Sequence, residues 1–348
     1  MNSELSASLL AVIPMPLVLI GPDERISAMN PAATDIFGKA GAGRHHVTVL
    51  RQPALLNCIE EVMRTRQPAS ARYIEKTLNR EATYKVLAAP VEGEGILGVL
   101  VSFEDLTELE QAGQMRRDFV ANVSHELKTP LTALLGFIET LRGAARDDAE
   151  ARERFLSIMA REAERMNRLV SDLLSLSRVE SAERQRPTGR VRVDELVEST
   201  ILTLRPLAEG VGVALEIERE GTGGFDVPGD VDQLQQVLTN LVENAIKYGA
   251  SGGRVTIRVI RRERELAFRG PGVQIEVVDY GEGFDAIHIP RLTERFYRVD
   301  SHRSRAVGGT GLGLAIAKHI VNRHRGRFRI ESAPGAGAKF TVLLPAIA

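Results

Sequence analysis

Two long amphipathic stripes separated by a short break constrain this chain more than any other feature. From Thr107 onward, Met115, Phe119, Val123, Leu127, Leu131, Leu134, Ile138 and Leu141 recur in steps of four and three, the period of one face of an α-helix. A break follows at Gly143 to Ala149. Phe155, Ile158, Met159, Met166, Leu169, Leu173 and Leu176 then form a second stripe that ends near Ala182. The spacing predicts a helical hairpin. A lone hairpin cannot cover both stripes, so two chains are expected to pair as a four-helix bundle.

The flanking regions read differently. Before the hairpin, Leu17-Val18-Leu19-Ile20 is a strand closed by the turn Gly21-Pro22-Asp23-Glu24. Asn30-Pro31-Ala32-Ala33 marks a helix start, because the residue before proline is extended and proline suits the first helical turn. Tyr84 to Ala88 and the β-branched run Ile96 to Phe103 predict further strands, giving a small mixed domain with an antiparallel sheet. After the hairpin the chain turns polar at Arg184 to Arg190, with Pro187 and Gly189. It then alternates helices with strands at Val255 to Ile260, Val273 to Val278 and Phe340 to Leu344, the pattern of an α/β sandwich.

Composition narrows the classes. A net charge of -1 supplies no bulk attraction to nucleic acid or an anionic membrane, and no direct nucleic-acid binding is expected. The single cysteine, Cys58, excludes an intramolecular disulfide and suits a reducing cytoplasm. The best apolar run, Leu9 to Ile20, is interrupted by Pro14 and Pro16 and falls short of the ~20 residues that span a bilayer. A cytoplasmic location is expected, with membrane association through a partner or an upstream segment left open.

The chemistry begins at Asp118 to Pro130, whose centre reads Ser124-His125-Glu126-Leu127-Lys128-Thr129-Pro130. At about 100° per residue, His125 lies about 200° from both Val123 and Leu127, so it faces away from the apolar stripe. Thr129 follows one turn later on the same face. An exposed imidazole beside a carboxylate suits a nucleophile: Glu126 takes the proton from one ring nitrogen while the other attacks phosphorus. Pro130 lacks an N–H and is expected to bend or loosen the helix. Any exposed helix histidine is by itself more often solvated than functional. The whole string, however, resembles the His-Glu-x-x-Thr-Pro phospho-acceptor motif of two-component sensor histidine kinases.

Three further stretches lie in the last region. In the stretch Gln236 to Tyr248, Asn240, Asn244 and Lys247 fall near one helix face at steps of four and three. Amide oxygens suit Mg²⁺, and an ammonium suits phosphate. Asp279-Tyr280-Gly281-Glu282-Gly283 follows a strand and pairs an acceptor-only carboxylate with glycines that permit close backbone approach. Gly308-Gly309-Thr310-Gly311-Leu312-Gly313 feeds a helix N-terminus, where unpaired N–H groups attract phosphates. Singly each has a bland reading, as a polar face or a turn. Together they resemble the N, G1 and G2 boxes of the ATP-binding domain shared by histidine kinases, gyrase, Hsp90-type chaperones and mismatch-repair ATPases. Glu294 to Asp300 matches the F box of the histidine-kinase branch.

The resemblance implies ATP and Mg²⁺ as cofactors. It implies Asn244 as the metal ligand, with Asn240 beside the phosphates and Lys247 on them. Tyr248 would border the nucleotide and Asp279 would read adenine. Gly281, Gly283, Gly309, Thr310, Gly311, Leu312 and Gly313 would form the loops around the nucleotide. Arg298 would reach toward the γ-phosphate, and Tyr297 to Gly309 would form a lid. Glu126 would serve as base, and Thr129 would position water for dephosphorylating the partner.

The N-terminal region resembles PAS sensor domains through its strand–turn–helix order and its exit Asp105-Leu106-Thr107, although the family usually has Ile where Leu106 stands. Cys58 sits in an apolar helical run and reads as core. His45-His46 offers two imidazoles for a metal or a haem, but no further ligand cluster is visible, and the pair reads as a solvated loop. His288, His302, His319 and His324 lie mostly in charged, exposed-looking surroundings.

The expected architecture is thus a multidomain α+β chain. Residues 1–106 form a PAS-like domain, 107–184 a dimerisation and phosphotransfer hairpin, and 188–348 an α/β-sandwich ATPase domain. The resemblance implies a homodimeric sensor histidine kinase that phosphorylates His125 and passes the phosphoryl group to a response-regulator receiver domain, with phosphatase activity as a second function. It is strongest toward phosphate-regulon sensor kinases. Two competing readings are a scaffold that no longer turns over ATP and a chaperone or topoisomerase fragment. The first leaves the intact nucleotide boxes unexplained, the second His125-Glu126.

Overall fold

The computed structural model describes residues 10–76, 81–93, 96–182, 185–299 and 309–347. Arg184, Asp300, His302, Gly308 and most of the expected lid lie outside the described residues. The chain forms two compact units, Met1–Ala121 and Asn122–Ala348.

In the first unit, β1 (Leu17–Ile20) and β2 (Ile26–Met29) form a hairpin, with Val18 opposite Met29. The chain continues through helices α1 (Pro31–Phe37), α2 (His46–Leu50) and α3 (Pro53–Thr65) into strands β3 (Ala69–Lys76), β4 (Glu81–Gly93) and β5 (Ile96–Asp105). The sheet order is β2-β1-β5-β4-β3, antiparallel throughout, as the alternating strand pattern predicts. Asn30 starts α1 by a dense set of bonds. Its Oδ1 accepts from Leu17 N–H at 3.0 Å and Ala33 N–H at 2.9 Å, while its Nδ2 donates to the carbonyls of Ile13 and Met15 at 3.0 and 2.8 Å. This buried side chain therefore caps a helix and ties down the approach to β1.

Phe103 fills the centre of the core, 5.1 Å from the Phe37 ring and 5.6 Å from that of Tyr73. Cys58 is buried beside α3's apolar face, and burial, followed by the nearby Glu61 charge, pushes its thiol up, which keeps it inert. The exit sequence is structural: Asp105 Oδ1 accepts the Thr107 N–H at 2.8 Å, and Thr107 Oγ1 accepts the Thr83 N–H at 2.9 Å. One expectation fails. His46 is not in a solvated loop but is buried, 1% exposed, at the start of α2. A period-based reading misses it because a five-residue helix shows no repeat.

Thr107–Arg142 is a single helix, α4, uninterrupted by Pro130, and α5 (Ala149–Ala182) returns beside it. Their break is where the glycine and the polar run place it. The rings of Phe137 and Phe155 stack across the hairpin at 5.3 Å. Part of the first apolar stripe stays uncovered: Met115 is 62%, Leu131 49% and Ile138 39% exposed.

Beyond the hairpin lie β6 (Gly189–Arg192), α6 (Val193–Gly210), β7 (Ala214–Glu220), β8 (Asp226–Gly229), α7 (Val231–Tyr248), β9 (Arg254–Glu265), β10 (Gly270–Asp279), α8 (Gly313–Arg323), β11 (Arg327–Ser332) and β12 (Ala338–Pro345). The main sheet runs β11-β12-β10-β9-β7, with only β7 and β9 parallel, and β6 pairs with β8. Val237, Leu241 and Ala245 of α7 and Ile316 and Ile320 of α8 are buried with Val255, Ile257, Val277 and Val342 of the sheet. This is the two-layer sandwich that the strand and helix patterns predict. His324, expected to be solvated, is fully buried instead. Its Nε2 accepts from Asp230 N–H at 3.0 Å and its Nδ1 donates to the Ile320 carbonyl at 2.7 Å, while burial pushes its pKa down. The neutral ring thus joins the C-terminus of α8 to the start of α7.

Candidate active site

A cavity of about 380 Å³ opens between α7, α8 and the C-terminal end of β10, within the roughly 300–1,000 Å³ range of small-molecule sites. Asn240, Asn244, Lys247 and Tyr248 reach it from the last turns of α7, and Asp279 from the end of β10. Gly283, Arg298, Gly309, Thr310, Gly311 and Gly313 complete the part that sequence reasoning identifies. The helix spacing and the strand end therefore bring together residues up to 73 positions apart.

Asp279 is buried, 5% exposed. Its Oδ1 accepts N–H bonds from Gly281 at 3.1 Å and Ala338 at 3.2 Å. Its Oδ2 makes no hydrogen bond among the described residues, which leaves an acceptor on the cavity wall. Burial pushes this carboxyl above the ordinary aspartate range, and the two N–H groups oppose that shift. Gly281 acts through this bond and does not line the cavity. At Gly283 the backbone has φ 62°, and a Cβ would sit 2.1 Å from the Ala333 carbonyl oxygen, so only glycine fits.

On the opposite wall, Asn240 Nδ2 donates to the Gly313 carbonyl at 3.1 Å, so this amide holds the glycine loop against α7. Asn244 makes no side-chain hydrogen bond among the described residues. Lys247 pairs with Glu243, which also lines the cavity. Gly311 has φ 74°, and its carbonyl accepts from Phe296 N–H at 2.9 Å; a Cβ there would approach Phe296 Cα to 2.9 Å. The α8 N-terminus behind this loop has no side-chain cap, so its N–H groups suit an anion. Leu312 is fully buried and packs into the core rather than lining the cavity.

His125 is exposed on α4, as its helical phase predicts. Thr129 Oγ1 donates to the His125 carbonyl at 3.1 Å. Glu126 accepts from Arg165 at 2.9 Å and from Arg298 at 3.4 Å, so its carboxylate is engaged by two guanidiniums rather than by His125. Arg298 also donates to the Gly309 carbonyl at 2.6 Å. Sequence reasoning missed a further group on α5: Asn167, Arg168, Ser171 and Asp172 all line the cavity. Asp172 Oδ2 accepts from Thr310 Oγ1 at 2.7 Å, and burial raises this carboxyl despite that bond. The available signal was spacing, since Asn167/Ser171 and Arg168/Asp172 are i, i+4 polar pairs beside the apolar stripe.

Comparison with known proteins agrees with this layout. Residues 229–348 match the histidine kinase-, DNA gyrase B- and HSP90-like ATPase family, residues 115–182 the His Kinase A (phospho-acceptor) domain, and residues 10–111 the PAS fold. The chain has the domain set of a sensor histidine kinase. It is 41% identical over 242 residues to the phosphate regulon sensor protein PhoR of Pseudomonas aeruginosa, covering 70% of this chain and 53% of that protein. It is 40% identical over 246 residues to the sensor-like histidine kinase SenX3 of Mycolicibacterium smegmatis, covering 71% and 62%. With the sensor histidine kinase WalK of Bacillus subtilis it shares 39% identity over 249 residues, covering 71% and 39%. The chain thus spans less than two thirds of the length of these relatives. Its fold is similar to that of the histidine kinase ThkA, solved in complex with the response regulator protein TrrA, with a TM-score of 0.51, 20% identity and coverage of 100% of this chain and 98% of that one. No helix among the described residues is long and apolar enough to cross a membrane.

Proposed function

We propose that the chain is an ATP-dependent protein-histidine kinase of a two-component pathway, acting as a homodimer in the cytoplasm. An imidazole nitrogen of His125 attacks the γ-phosphorus of ATP. A P–N bond forms, the bond to the ADP oxygen breaks, and the proton on the other ring nitrogen passes to Glu126. The phosphoryl group then moves to an aspartate of a response-regulator receiver domain. Residues 1–106, 107–184 and 188–348 serve as sensor, phosphotransfer and ATP-binding segments.

The observation that carries this reading is the contact between Glu126 and Arg298. The carboxylate next to the proposed nucleophile lies 3.4 Å from a guanidinium that also lines the nucleotide-sized cavity. Arg165 and Arg298 both meet Glu126 at Oε2, so Oε1 accepts the His125 proton while Arg298 turns its charge toward the phosphates. Asp279 Oδ2 accepts the adenine amine. Asn244, whose amide makes no hydrogen bond among the described residues, fits a hard cation such as Mg²⁺, which when bound neutralises phosphate charge, with Asn240 beside the phosphates. Lys247 and the α8 N-terminus hold the phosphates. Thr129, on the His125 face, orients water for dephosphorylating the regulator.

Incubating the His125→Gln protein with γ-labelled ATP and Mg²⁺ tests the assignment. No label with nucleotide affinity unchanged is expected, and label on this variant would place the acceptor elsewhere.

A further inference from the structure

The first unit holds a cluster that the kinase reading does not use. Glu24, His45 and His46 each bring one ligand atom, a carboxylate oxygen or an imidazole nitrogen, to within 4.8 Å of the others. Backbone pairing holds them there. Arg25 bridges to His45, and the His46 N–H donates to the Glu24 carbonyl at 3.0 Å. The turn after β1 and the start of α2 are therefore clamped side by side, although the residues are more than 20 positions apart.

The tautomer of His46 follows from its partner. Its Nδ1 lies 2.8 Å from the Glu24 carbonyl oxygen, which only accepts, so Nδ1 carries the proton. The lone pair is then on Nε2, and that atom is buried without a hydrogen-bond partner. A ring that donates one N–H to a backbone carbonyl and presents the other nitrogen is the form in which histidine binds metals. Beside it, the His45 ring stacks on His46 at 4.9 Å, and His45 Nε2 lies 3.0 Å from the Glu24 carboxylate.

We propose that Glu24, His45 and His46 form a binding site for a divalent transition metal of the zinc class. Two imidazoles and a carboxylate suit such an ion, whereas Ca²⁺ and Mg²⁺ favour all-oxygen sets. Bonds of about 2.0–2.2 Å place tetrahedral ligands about 3.3 Å apart, so the cluster must contract. The exposed Glu24 and the half-buried His45 supply that movement, the His45 ring turning out of its stack on His46 so that both lone pairs point at one ion. Binding through Nε2 puts the His45 proton on Nδ1, which gives up the long 3.4 Å bond from the Val47 N–H. Three protein ligands leave a fourth position for water or a small ligand.

The full chain, stripped with chelator, is titrated with Zn²⁺ by calorimetry and with Co²⁺ by visible absorption. One site per chain with tetrahedral Co²⁺ bands is expected. Because His46 is buried, the variants are Glu24→Gln and His45→Ala, each expected to weaken that site at least about tenfold, the scale of losses for supporting residues alone. His125→Gln is expected to leave it unchanged. Equal binding by the wild type and the Glu24→Gln/His45→Ala double variant, or no stoichiometric binding, would overturn the proposal.

Discussion

Helices α7 and α5 are both amphipathic, yet only α7 has its apolar face covered. Leu234, Val237, Leu238, Leu241 and Val242 are all buried between sheet and neighbouring helices. In the hairpin, Leu169, Leu176 and Val179 of α5 are buried, whereas Leu131, Leu135, Leu156 and Leu174 are exposed. A covered face stabilises the chain that owns it, whereas an uncovered face awaits a partner. For this hairpin, a second copy of itself is the partner whose stripe matches. One segment thus has a closed core behind its cavity, and the other leaves an apolar face open.

The sharpest way to break this contrast is to change each side and compare. Ile138→Asp is expected to convert the dimer to a monomer, read as a halving of mass by light scattering; an unchanged mass would place the interface elsewhere. Leu241→Ala should cost about 3 kcal/mol in chemical denaturation, as expected for a fully buried leucine. Leu135→Ala should cost well under about 1 kcal/mol at concentrations where the chain is monomeric. Equal losses at the two positions would erase the distinction between covered and uncovered faces.

Asp279→Asn sharpens the nucleotide side. The amide keeps an oxygen for the Gly281 and Ala338 N–H groups but places a donor where the adenine amine needs an acceptor. Nucleotide affinity should fall at least about tenfold. Stability at neutral pH should not fall. Burial raises this carboxyl, so its contribution to stability is present at low pH and is lost as pH rises through the raised value. By the same sign, wild-type nucleotide binding should weaken on acidification from above the ordinary aspartate range, and the variant should lack that step. A modest effect is expected where the two regions meet: Thr310→Val removes the bond to Asp172 and should cost about 1–2 kcal/mol.

Sequence made the elements legible where periodicity or chemistry repeats. The hairpin break, the strand leading to Asp279 and the α7 face bearing Asn240, Asn244 and Lys247 follow from period and turn residues alone. What stayed hidden depends on contacts between distant segments. The engagement of Glu126 by Arg165 and Arg298, the Thr310–Asp172 bond, the burial of His324 behind α7 and the meeting of Glu24 with His46 are all set by tertiary packing. Leu312 shows the reverse limit: it lies within a functional motif, yet its side chain serves the core.

The central claim is that His125 receives phosphate from a nucleotide bound beside Asp279. The most direct measurement is to label the protein with γ-labelled ATP and Mg²⁺ and expose the product to acid and to alkali. A phosphohistidine predicts label that survives alkali and is lost in acid. Label that survives acid, or no label while nucleotide remains bound, would contradict it.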